Sequence, residues 1–190
     1  MPIPHLNLSE GKTISGYVGS TDAQLKIMSI PTKRQIWFPA FLTGFDQAFD
    51  PTWNTEEVFG RMDPIATYQG TKRTMNLGFD LPAASLEEAK KNLEGCSELV
   101  KMVYPIYNSD ILSKPPLVRI KFANLISGVD PDGLLGWMSG LSWKPNLEMG
   151  MFANDDEFFP KIIGLNFSFN ILHEETLSQD KIGSFPFGGK

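Results

Sequence analysis

The side chains able to do acid–base, nucleophilic or metal chemistry are few, and their spacing limits what they can do. The two histidines are His5 and His173. His173 precedes Glu174 and Glu175, but a zinc-binding helix of the His-Glu-x-x-His type needs a second histidine that this run lacks. Cys96 falls at an apolar position of a helical pattern, where a thiol serves as a small buried hydrophobe and not as a nucleophile. Asp130, Asp132 and the run Asp155-Asp156-Glu157 offer oxygens to a divalent cation. The twelve-residue calcium loop with its closing Glu is absent, and solvated acidic loops are expected. Phosphate-binding Gly-rich loops and nucleophile elbows are absent too. The expectation is a non-enzymatic protein with no cofactor and no metal.

The densest group of charged and turn-forming residues is Gly60-Arg61-Met62-Asp63-Pro64-Ile65, continuing through Tyr68 to Lys72 and Arg73. Gly60 permits a tight approach, and Asp63-Pro64 fixes a turn. Arg61, Lys72 and Arg73 are suited to pairing with carboxylates of a neighbouring chain. The plainer alternative is a solvated turn flanking a strand. Arg61, Asp63, Tyr68 and Arg73 are the candidate subunit-interface residues.

These residues must be held by a scaffold. The 190 residues are enough for one well-buried domain. Hydrophobic residues make up 42% and charged residues 21%, which argues against global disorder. Fourteen Phe, fourteen Pro and seventeen Gly predict short strands joined by many turns. A net charge of −5 excludes a protein that grips nucleic acid through a concentrated basic surface. With one Cys there is no internal disulfide, which predicts maturation in a reducing cytosol. The N-terminal residues lack the basic start and apolar run of a secretory signal, and no apolar stretch reaches the ~20 residues of a membrane helix. A soluble chain is expected.

Periodicity places the elements. Strands are predicted near residues 25–30, 73–81, 117–122, 134–143 and 162–172. In the last of these Ile163, Leu165, Phe167, Phe169 and Ile171 alternate with Gly164, Asn166, Ser168 and Asn170, so a one-residue slip would expose five large side chains. Residues 128–133 carry turn chemistry between two strands. Ser85 and Glu88 form a capping box that opens a helix over 85–104. Its apolar stripe is read as Leu86, Ala89, Leu93, Cys96, Val100 and Val103. Pro39 argues against a regular strand around it. Phe45, Phe49 and Trp53 are assigned to a loop, with burial in the core favoured over an interface. Residues 107–116 and 145–157 read as connections. The expected fold is α+β: a mainly antiparallel β-barrel or sandwich with one flanking helix and long loops, divided into an extended arm (1–24), a single domain (25–174) and a tail (175–190). The arm, and the Phe185-Pro186-Phe187 end of the tail, read as either frayed ends or segments that dock on another chain.

The run over residues 59–73 resembles the baseplate and tail-tube-initiator proteins of contractile-tailed bacteriophages. The similarity extends over residues 38–174, through Leu81-Pro82-Ala83-Ala84-Ser85-Leu86-Glu87-Glu88-Ala89, Met102-Val103-Tyr104-Pro105, Pro115-Pro116-Leu117-Val118, Gly133-Leu134-Leu135-Gly136 and the stretch from Phe167 to Glu174. It implies a tail-tube-like barrel or sandwich repeated as a hexameric ring at the junction of baseplate hub and tail tube. The partners implied are copies of the chain itself, the tube protein and the hub, with neither specific nucleic-acid binding nor a membrane. The location implied is the virion, assembled in the host cytoplasm. Two alternatives stand beside this: a baseplate wedge or peripheral connector, and a soluble β-barrel whose phenylalanines line a cavity for a small apolar ligand.

Overall fold

The structure is a computed structural model that describes residues 6–7, 24–39, 41–109, 111–123, 125–128, 130–154, 156–175 and 177. His5, Asp155, most of the N-terminal arm and the Phe185-Pro186-Phe187 end of the tail lie outside the described residues. In chain order the elements are β1 (Leu6–Asn7), β2 (Leu25–Ser29), β3 (Gln35–Phe38), β4 (Phe41–Glu56), β5 (Ile65–Pro82), α1 (Leu86–Val103), β6 (Ile106–Asn108), β7 (Ile111–Lys114), β8 (Val118–Phe122), β9 (Leu134–Pro145), β10 (Met151–Asn154), β11 (Glu157–Pro160) and β12 (Ile162–Ile171). Eight strands form one sheet in the order β1-β3-β2-β8-β9-β12-β5-β4, antiparallel except for the β1–β3 pair, and β6–β7 and β10–β11 are separate hairpins. The fold is thus α+β, a mostly antiparallel sheet with a single helix among the described residues.

Alternation builds the core. Met75, Leu77, Phe79 and Leu81 of β5, the five predicted β12 residues, and Val118 and Ile120 of β8 are all buried on one face. Each β12 residue from 162 to 170 is registered against β5, so the two alternating patterns lock each other's phase. The sheet is strongly rolled. Phe38 on β3 and Phe79 on β5 are five strand steps apart, which would separate them by about 24 Å in a flat sheet, yet their ring centroids are 6.1 Å apart. Phe167 meets Phe79 edge-on at 5.9 Å. The roll wraps the apolar face around itself, but among the described residues no ladder joins β1 to β4. The expected barrel is therefore not closed by hydrogen bonds.

The helix starts as its sequence dictates. Ser85 caps it, with the Glu88 N–H donating to Ser85 Oγ at 3.3 Å, and the Glu88 carboxylate accepts from the Ala84 N–H at 2.8 Å. Its buried face is turned from the expected one. Ala89, Asn92, Cys96, Leu99 and Met102 face inward, whereas Val100 is exposed. Asn92 explains the misphasing: this polar residue is buried because its amide donates to the Pro82 carbonyl at 3.1 Å. Apolar periodicity alone passes it over.

Three more expectations need correction. Phe45, Phe49 and Trp53 belong to a strand, not a loop, because β4 pairs with β5 along nearly its whole length, and of the three only Phe45 packs against the core, Phe49 and Trp53 being exposed instead of buried there. Pro51 is accommodated because β4 is the edge of the sheet. β3 forms as well, ending one residue before Pro39. The segments read as connections contain the short hairpins β6–β7 and β10–β11, whose strands of three and four residues are too brief to show a period. Among the described residues no helix is long and apolar enough to cross a membrane.

Candidate assembly interface

The β4–β5 hairpin outgrows its sheet. β12 follows β5 only as far as the Asn170–Thr74 pair, while β4 and β5 remain paired out to Glu56 and Ile65. The eight residues 65–72 and their β4 partners therefore project as a two-stranded ribbon about 26 Å long. A ribbon with no third strand has no buried face. Trp53 and Tyr68 supply a cross-strand aromatic pair instead, their rings edge-on at 5.3 Å, and the Tyr68 hydroxyl lies 2.6 Å from Thr71 Oγ1.

The four candidate residues occupy three levels of this hairpin. Arg73 is at the root, 3% exposed, where its guanidinium donates to Gln47 Oε1 at 2.8 and 3.2 Å and lies 5.3 Å over the Phe49 ring. Burial lowers its pKa from the ordinary arginine value, and the same charge, after burial, helps to lower that of His173. Arg73 thus fastens β4 to β5 at the point where the third strand ends. Tyr68 lies halfway out, half-exposed. Arg61 and Asp63 share the tip, which is closed by the Arg61 N–H donating to the Val58 carbonyl at 3.1 Å, with Gly60 at φ +83°. Arg61 and Asp63 come together at the tip, but Arg73 is separated from them by the length of the ribbon.

Two residues missed by the sequence reading dominate the tip. Phe59 and Met62 are essentially fully exposed, flanked by the exposed Val58 and Ile65. The signal for them is an apolar residue set among charges in a turn, Glu57-Val58-Phe59 and Arg61-Met62-Asp63, with no periodic strand to bury it.

Elsewhere the residues singled out for chemistry are held in structural roles. The Cys96 thiol is pushed up to about 12 by burial, the effect of a hydrogen bond with Trp143 being the smaller one. Asp132 accepts from Lys26 at 2.6 Å, and Asp130 lies 3.3 Å from Arg119. These loop carboxylates are therefore ion-paired and not simply solvated. Arg119 also grips Glu174 with both terminal nitrogens and donates to the Gly133 carbonyl. The Asp130–Gly133 turn itself requires glycine: Gly133 has φ +102°, and a Cβ there would sit 2.2 Å from the Ile120 carbonyl oxygen. His173 is exposed, and among the described residues no three His, Cys, Asp or Glu side chains converge as a metal site.

No family model matches this chain, and the search of curated proteins finds no match.

Proposed function

We propose that this protein is a structural, non-enzymatic component of a contractile phage tail. It would connect the baseplate hub to the tail tube and nucleate the tube as a hexameric ring of its own copies. The observation that carries this reading is the ribbon. A firmly rooted arm about 26 Å long, ending in the exposed Phe59 and Met62, suits an element that reaches a neighbour. The sequence resemblance over residues 38–174 supplies the identity of that neighbour. An apolar-ligand carrier would hold its phenylalanines around a void, whereas Phe38, Phe79 and Phe167 pack against one another.

Mass photometry of the purified chain, alone and mixed with the cognate tail tube protein, tests the proposal. The expected result is a ring-sized species that recruits tube protein into longer assemblies. A chain that stays monomeric and ignores the tube protein would sink it.

A further inference from the structure

The ribbon tip and a second exposed feature are complementary in chemistry. At the end of α1, Pro31, Met102, Tyr104, Pro105, Ile106 and Pro116 line a groove between the β2–β3 turn and the β6–β7 hairpin. Arg34 and Lys101 line it as well, and among the described lining residues the one carboxylate is that of Glu98, which is bonded to Arg34 at 2.9 Å and Lys101 at 2.7 Å. The ribbon has the opposite balance. Between residues 49 and 72 it carries Asp50, Glu56, Glu57 and Asp63 against Arg61 and Lys72. An apolar, net-negative tip thus matches an apolar, net-positive groove.

Register shows where the two lie. The ribbon root pairs Thr74 with Asn170, the next β12 residue Ile171 pairs with Gly136, Gly136 with Val118, and Val118 with Ser29. Ser29 leads directly into the turn that forms the groove. The ribbon leaves this row of strand partners in the direction in which β2 runs back toward Leu25, so the β2–β3 turn and its groove leave the row in the opposite direction from the ribbon. The full exposure of Phe59 and Met62 means that the tip does not sit in its own chain's groove.

We infer that the ribbon tip of one copy docks in the α1–β6 groove of a second copy. Phe59 and Met62 would enter between Tyr104 and the prolines, with Glu56 and Glu57 facing Lys101 and Arg34. Such a contact uses two different patches, so it repeats from copy to copy and closes only as a ring. The inference rests on the ring reading above and specifies its contact.

Two full-length variants test it by mixing. Phe59→Asp with Met62→Asp disables the tip, and Tyr104→Asp disables the groove. All three positions are well exposed, so each variant should keep the wild-type melting temperature. Each alone should self-associate at least about tenfold more weakly, the scale of losing an aromatic anchor. Mixed together they should give a one-to-one dimer that grows no further, since one intact tip then meets one intact groove. A Tyr104→Asp protein that assembles normally would overturn the groove assignment, and tip variants that still form rings would overturn the tip assignment. A wild type that is monomeric at every concentration yet adds to tube protein would overturn the self-contact while leaving the tail reading in place. A tip variant that forms rings but no longer binds tube protein would assign the ribbon to the tube.

Discussion

Within β5, residues 74–80 are paired on both sides, with β4 and β12, and this inner part of the strand buries Met75, Leu77 and Phe79, with Leu81 just beyond. Residues 65–72 of the same strand have β4 alone for a neighbour, and none of their side chains is buried. The inner part is stabilised by removing apolar surface from water at about 25 cal/mol per Å². The outer part has only its backbone ladder, the Trp53–Tyr68 pair and its root at Arg73. Two-stranded ribbons of this kind are marginal on their own. One strand can therefore supply both a core and an arm that opens far more readily than the domain does.

The comparison is most severely tested in the core. Phe167→Asp places a carboxylate 3%-exposed beside Phe79, and it should cost roughly 4 kcal/mol or more and leave little folded protein. A melting temperature within a few degrees of wild type would mean that β12 does not face the core as described. At the root, Arg73→Ala removes both hydrogen bonds to a partly buried Gln47 and should cost about 1–3 kcal/mol. Hydrogen exchange should rise sharply at residues 49–72, and unchanged protection there would show that the arm does not depend on its root.

Further out, Tyr68→Ala should lower ribbon protection by about 1 kcal/mol while leaving global melting unmoved. A matching fall in melting temperature would join ribbon and core into one cooperative unit. The smallest expected effect is that of acid on the β8–β9 turn. The hydrogen bond from Lys26, the largest influence on Asp132, holds its carboxyl below the ordinary range. Its folded pKa is depressed, so its contribution is present above the unfolded value, about 3.9, and is lost as pH falls through the folded one. Asp132→Asn should therefore lower the melting temperature slightly near neutrality, and the difference from wild type should vanish as pH falls below about 4. Equal loss at pH 7 and pH 3 would exclude this linkage.

Legibility follows the same division. β12, the inner half of β5 and β8 could be read directly, because burying one face of a strand forces an alternation that no other arrangement satisfies. The Ser85–Glu88 cap was equally legible, since its partners are three residues apart. The candidate site was legible in part. The run at residues 60–73 was recognised as unusual, but Arg73, read as an interface residue beside Arg61 and Asp63, is buried against Gln47 and Phe49. Phe59 and Met62 were passed over, because only the absence of a covering element makes an apolar turn residue significant.

By itself, then, the sequence determined the strands with a dry face, the helix start, the glycine turn at Gly133 and the balance of charge. Each depends on contacts a few residues apart or on a repeating demand for burial. The tertiary structure decided that the sheet rolls, which face of α1 turns inward through the Asn92–Pro82 bond, and that β4 and β5 run on as a ribbon after β12 stops. Backbone pairing makes the ribbon without asking any side chain to be buried. Such an element leaves no period in the residues that form it, and it emerges only when the lengths of neighbouring strands are compared in space.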